Sequence, residues 1–132
     1  MRVLNWDNFD NCIHAITLSC KKNQFTGVYG MPRGGLCMAV ALSHSLRTPL
    51  LNELKPGCLV VDDVYETGAT LNKVSEIPGV TTFVWISKLT PVWWNAVETT
   101  ISNEWLVFPW ESREYAEEDM MAYQLANNQT HG

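Results

Sequence analysis

Cys58-Leu59-Val60-Val61-Asp62-Asp63-Val64-Tyr65-Glu66-Thr67-Gly68-Ala69-Thr70-Leu71 changes character twice. Cys58–Val61 is a short apolar run after Lys55-Pro56-Gly57 and reads as a buried strand following a turn. Asp62, Asp63 and Glu66 then place three carboxylates just past its C-terminal end. Thr67-Gly68-Ala69-Thr70 is a small, hydroxyl-rich turn opening a helix expected over Ala69–Ile77, which Pro78-Gly79 ends. A strand, a polar loop and a helix start, in that order, present free N–H groups and a positive dipole end to an anion. Neighbouring carboxylates accept from sugar hydroxyls or hold Mg2+. The stretch therefore suits phosphate, ribose and metal. A solvated loop before an ordinary helix is the plainer reading, and a short motif alone does not exclude it.

Toward the N-terminus the pattern repeats. Phe25–Tyr29 reads as a short strand, Gly30-Met31-Pro32-Arg33-Gly34-Gly35 as a loop, and Leu36–Leu46 as an apolar helix. Glycines allow close backbone approach, and the planar fork of Arg33 matches phosphate oxygens. Before this unit, Phe9, Ile13, Ile16 and Cys20 recur at helical spacing, giving an amphipathic helix over Trp6–Lys22. Pro49-Leu50-Leu51 reads as a brief strand. His14 and His44 lack a nearby catalytic partner and read as surface or packing residues.

Toward the C-terminus, Val80–Ile86 is an apolar, β-branched strand that ends at Lys88. That is the edge where ligands of open parallel sheets bind. Val97–Ile101 reads as a further extended piece. In Trp105-Leu106-Val107-Phe108-Pro109-Trp110-Glu111, Phe108 and Trp110 read as core. Trp105 reads as a flat ring able to stack on a base while nearby backbone groups read its edge. Ser112 opens a C-terminal helix over about 113–125, and a tail follows. Three strand–helix units argue for an α/β domain with a mostly parallel sheet flanked by helices.

These motifs resemble those of the type I phosphoribosyltransferases. In that family an apolar strand, two acids, two variable residues, an acid, Thr-Gly, a small residue and Thr bind phosphoribosyl pyrophosphate. This chain fits each slot, with Glu66 where Asp is common. Arg33-Gly34-Gly35-Leu36 matches the family's pyrophosphate loop, for which the resemblance implies a cis peptide beside Arg33. Lys88, the following Pro91 and the Trp105–Glu111 run resemble the purine branch, the xanthine–guanine and hypoxanthine enzymes. The acidic residue usual after the Pro is absent, since Val92-Trp93-Trp94 follows. The resemblance covers nearly all of residues 26–111. It implies a single Rossmann-like domain over 1–132, with a core over about 24–111, a C-terminal helix over 112–127 and a tail over 128–132.

The resemblance also assigns roles. Arg33, Gly34 and Gly35 bind pyrophosphate. Asp62 and Asp63 hold the ribose hydroxyls and Mg2+. Thr67, Gly68, Ala69 and Thr70 cradle the 5′-phosphate. Glu66 takes the general base's place, and Lys88, Trp105 and Leu106 select the base. The partners implied are phosphoribosyl pyrophosphate, a purine base or monophosphate, and a second copy of the chain. The tryptophans at 93 and 94 point to a dimer surface. One departure bears on catalysis: only Arg47–Gly57 separates the Arg-Gly-Gly helix from the acidic strand, where the family carries a mobile lid that excludes water.

The totals agree with a small-molecule binder. A chain of 132 residues makes one domain's core. A net charge of −5 argues against nucleic acid as the main ligand. No apolar run is long enough to cross a membrane. The four cysteines show no zinc spacing and read as reduced, buried thiols of a cytosolic protein.

Overall fold

A computed structural model describes residues 1–131, with side chains through Ala126. The tail expected over 128–132 is helix through His131, and Gly132 lies outside the described residues. The chain divides into two compact units, Met1–Phe9 with Asn103–Gly132, and Asp10–Ser102.

The second unit holds a four-stranded, wholly parallel sheet. Its strands are β2 (Val28–Gly30), β3 (Leu59–Tyr65), β4 (Thr81–Ser87) and β5 (Asn95–Thr99), side by side in chain order. The expected strand at Pro49-Leu50-Leu51 is a single parallel bridge from Leu50 to Val28 at the sheet's edge. Successive side chains of β3 point to opposite faces. Cys58 and Val60, immediately before and within β3, join Tyr65, Leu71, Val74, Val84 and Trp94 in a buried cluster. Helix α2 (Gly35–Ser45), its Met38, Ala39 and Leu42 buried, packs on β2 and β3.

Three expectations are corrected here. First, β3 continues through Tyr65, so Asp62 and Asp63 lie inside the strand rather than beyond it. Asp62 still pairs in register with Val84 of β4.

Second, the helix expected over Ala69–Ile77 is a short 3-10 helix, Leu71–Glu76. It is bounded on both sides. Gly68 has φ of 75°, and Ile77, which precedes Pro78, is extended at ψ of 126°. Nor does β4 return through a helix, because residues 88–94 lead directly to β5.

Third, Trp94 does not face outward, while Trp93 is half-buried. Trp94 is buried and stacked on Tyr65 at 3.6 Å between ring centres, and Trp93 packs edge-on against the same tyrosine at 6.3 Å.

In the first unit, β1 (Arg2–Val3) pairs in parallel with β6 (Leu106–Val107), a pairing with no sequence signal strong enough to announce it. Phe108 and Trp110 stack on each other, with Trp6 and Phe9 against Trp110, so the packing reading of both residues holds. Helix α1 (Trp6–Cys20) begins here and continues into the second unit, and α3 spans Ala116–His131. Cys12, Cys20 and Cys58 are buried free thiols. Burial pushes the Cys12 thiol up to about 12, which leaves it inert as a nucleophile. Among the described residues no helix is long and apolar enough to cross a membrane.

Candidate functional site

The second unit gathers most of the sequence-derived residues at the C-terminal ends of its parallel strands. Asp62, Glu66, Thr67, Gly68, Ala69 and Thr70 line one open cleft of about 170 Å³. Its floor is the turn from Glu66 to Thr70. Ala69 N–H donates to Thr67 Oγ1 at 3.3 Å, and Asn72 N–H to the Gly68 carbonyl at 2.8 Å. Among the described residues no acceptor meets the N–H groups of Thr67, Gly68 or Thr70. The donors that suit an anion therefore belong to the turn itself rather than to a long helix dipole.

A network that sequence reasoning missed fixes this turn. Tyr65 Oη donates to Asn72 Oδ1 at 2.9 Å, and Trp93 Nε1 donates to the same oxygen at 3.2 Å. Gly68 sits directly on that junction: a Cβ there would run into Tyr65 Oη and lie 2.8 Å from Asn72 Oδ1. Its positive φ independently disfavours any side chain. Asn72→Ala removes the acceptor shared by both donors. We expect it to lower stability by about 1–2 kcal/mol and to weaken anion binding at the turn several-fold. Urea unfolding and calorimetry would check this, and unchanged affinity would refute the coupling of network to turn.

Asp62 and Asp63 form a close acidic pair. Asp63 N–H donates to Asp62 Oδ1 at 2.8 Å. Burial, then the charge and hydrogen bonding of Asp63, push the Asp62 carboxyl up to about 8. Asp63 is also raised, chiefly by burial. The Asp63 carboxylate occupies the space where a side chain at residue 34 would stand, so the Arg-Gly-Gly loop and the acidic strand are in contact. Gly35 is equally constrained by the Val61 carbonyl. The Pro32–Arg33 peptide is cis, as the resemblance implied. Arg33 is exposed, and among the described residues no partner holds its guanidinium.

Lys88 is anchored through its N–H to the Tyr65 carbonyl at 2.8 Å. Its Nζ meets Glu66 Oε1 at 2.9 Å, with the two side chains 15% and 26% exposed. A carboxylate that accepts and an ammonium that donates thus stand side by side, the carboxylate's residue lining the cleft. Ser87 and Trp94 brace this corner, with Trp94 Nε1 donating to Ser87 Oγ at 3.0 Å.

Trp105 and Leu106 belong to the first unit. Leu106 is buried in β6. Trp105 lies against Tyr123 of α3 at 5.1 Å, the rings tilted by 46°.

No family model matches the sequence, and no curated protein does. Solved structures do. A purine phosphoribosyltransferase from Pyrococcus horikoshii is 27% identical, with a TM-score of 0.71 over 84% of this chain and 93% of that one. A xanthine-guanine-hypoxanthine phosphoribosyltransferase from Helicobacter pylori is 15% identical, with a TM-score of 0.69 over 89% of this chain and 98% of that one. A hypothetical protein from Neisseria gonorrhoeae with bound ppGpp is 16% identical, with a TM-score of 0.65 over 93% of this chain and 97% of that one. This chain has the type I phosphoribosyltransferase fold in a small, 132-residue form similar to that of purine phosphoribosyltransferases.

Proposed function

We propose that the chain transfers a phosphoribosyl group from phosphoribosyl pyrophosphate to a 6-oxopurine. The Glu66–Lys88 pair beside the phosphate turn carries this reading. An acceptor and a donor side by side complement adjacent N–H and C=O groups of a heterocycle, as at N7 and O6 of a 6-oxopurine. The base's N9 attacks the ribose C1′, the bond from C1′ to pyrophosphate breaks, and Glu66 accepts the proton released from N7. Lys88 holds O6. The Thr67–Thr70 turn fixes the 5′-phosphate, and Arg33 with the Gly34–Gly35 backbone meets the departing pyrophosphate.

Asp62 and Asp63 fit a divalent cation, since both carboxyls are raised chiefly by burial, with the charge of Asp63 adding at Asp62 and that of Glu66 at Asp63, and both gain from a positive partner. Among the described residues no three His, Cys, Asp or Glu converge on one point. An Mg2+ ion would therefore take its other oxygens from the substrate and water. When bound it supplies charge neutralisation at the pyrophosphate.

The test is pyrophosphate release from phosphoribosyl pyrophosphate and Mg2+ with guanine, xanthine or hypoxanthine in turn. Turnover with one base, lowered about a hundredfold or more in Glu66→Gln, is the expected result. A second reading is a nucleotide-binding module without turnover. The short 47–57 connection favours it, having only the Leu50 bridge where a lid would lie, and so does the ppGpp-bound Neisseria relative. Against it, this chain covers 93% of the Pyrococcus purine phosphoribosyltransferase. A chain described as an enzyme of this class thus extends little beyond what is present here. Tight binding of a purine monophosphate with no release of pyrophosphate would select the second reading.

A further inference from the structure

Glu66 follows Tyr65 and Lys88 follows Ser87, and Tyr65 and Ser87 are register partners at the ends of β3 and β4. The 2.9 Å spacing of the Glu66–Lys88 pair is therefore inherited from these two strand ends, which lie in the same unit. What holds the ends together decides how firmly the pair is placed.

Ser87 is fully buried, and its hydroxyl is used twice. It donates to the Leu89 carbonyl at 2.5 Å and accepts from Trp94 Nε1 at 3.0 Å. A hydroxyl engaged as donor and as acceptor has one orientation. Trp94 is buried as well and stacks on Tyr65 at 3.6 Å between ring centres, so one indole ties β3 to β4 at the pair. The backbone of Lys88 is clamped on both sides, its own N–H by the Tyr65 carbonyl at 2.8 Å and the next carbonyl by Ser87 Oγ. Burial does little here, because Leu89, Thr90 and Val92 are exposed. Hydrogen bonds fix this turn, and those of the Ser87 hydroxyl are the ones made by a side chain.

We propose that Ser87 and Trp94 are positioning residues that set the discrimination between 6-oxo and 6-amino purines, by fixing where the Lys88 ammonium stands. The proposal rests on the role of Lys88 in the function proposed above. An ammonium only donates, so it complements a carbonyl oxygen and gains nothing from an exocyclic amino group that also donates. The contrast is steep only while the ammonium is held at bonding distance from position 6. An ammonium free to swing turns to water with either base, and the preference fades.

Calorimetry with inosine monophosphate, adenosine monophosphate and ribose 5-phosphate on wild type, Ser87→Ala and Trp94→Phe tests this. The two nucleotides differ at position 6 of the ring, and ribose 5-phosphate reports on the phosphate turn without a base. Wild type should favour inosine monophosphate about tenfold or more. Both variants should cut that preference about fivefold or more by weakening inosine monophosphate, while ribose 5-phosphate affinity stays within about twofold. Ser87→Ala leaves a buried donor and acceptor unpaired and costs stability. Trp94→Phe keeps an aromatic ring on Tyr65 while removing the donor, and decides the question where the alanine variant does not fold. An unchanged preference in the folded variants would overturn the proposal and leave the 6-oxopurine reading standing. Equal weakening of all three ligands would overturn it too, since a merely structural role does not single out position 6. If wild type does not distinguish the two nucleotides, or binds neither, the 6-oxopurine reading itself fails and the proposal with it.

Discussion

Asp62→Asn should make the protein more stable and less active at once. At pH 8 we expect a gain of about 1–2 kcal/mol, or about 5 °C in melting temperature. Phosphoribosyl transfer should fall by at least about a hundredfold. The stability effect follows from the direction of titration. The Asp62 carboxyl moves from 3.8 to about 8 in the folded chain, first by burial and then through Asp63. A carboxyl raised on folding costs nothing at low pH, where both states are protonated. The fold loses stability as pH climbs from the unfolded value near 3.8 toward the folded one near 8. The wild type should therefore weaken across that window, and the variant should weaken less. Asparagine keeps the shape and the acceptor for the Asp63 N–H but cannot ionise. The activity effect has the opposite sign because the proposed role of the pair, holding ribose and a divalent cation, needs it ionised. Thermal unfolding at pH 5 and pH 8 decides the matter. A variant no more stable than wild type at pH 8, or a difference that does not shrink at pH 5, would remove the argument.

The unequal legibility of fold and site has a physical pattern. Strands β3 and β4 could be read because both are buried on two faces, which forces continuous apolar runs. The phosphate turn and the Arg-Gly-Gly loop could be read because close backbone approach admits few residue types. Each of those glycines proves to face a specific obstacle: Asp63 at Gly34, the Val61 carbonyl at Gly35, and Tyr65 Oη at Gly68. What could not be read depends on contacts remote in sequence. The pairing of Arg2–Val3 with Leu106–Val107 leaves no periodic trace, since two residues carry no period. The Tyr65–Asn72–Trp93 junction joins a strand, a 3-10 helix and a loop, and none of the three residues looks unusual alone. Trp94 was read outward for the same reason: an aromatic surplus in a loop does not say which way it faces, and Tyr65 turns it inward. The over-long helix after Thr70 shows local propensity overridden at its two ends, by Gly68 and by Pro78.

Gly34→Ala should cost at least about a hundredfold in kcat/KM for phosphoribosyl pyrophosphate, and roughly 1–3 kcal/mol in stability. Backbone conformation is not the cause. Gly34 lies at φ of −59° and ψ of −32°, where alanine is at ease. The cause is space. A Cβ at residue 34 would fall within the Asp63 carboxylate, so either the loop or the acid must shift. The acid has little room, being half-buried within β3 with its N–H committed to Asp62. The loop is fixed from behind by Met31 N–H donating to the Val61 carbonyl at 2.9 Å. Either displacement separates the Arg-Gly-Gly loop from the acidic pair, the two parts proposed to hold pyrophosphate and ribose. A double-mutant cycle isolates the clash. In an Asp63→Ala background the obstructing oxygens are gone, and adding Gly34→Ala should then change stability by no more than about 0.5 kcal/mol. That gives a coupling of about 1 kcal/mol or more. If Gly34→Ala destabilises equally in both backgrounds, the contact with Asp63 is not what demands glycine. Activity separates the two roles further. Asp63→Ala removes the carboxylate proposed to hold the ribose in either background and should remain inactive, so only stability can recover in the double variant. Recovery of stability in the Asp63→Ala background would show that the contact with the Asp63 carboxylate is what demands glycine at residue 34.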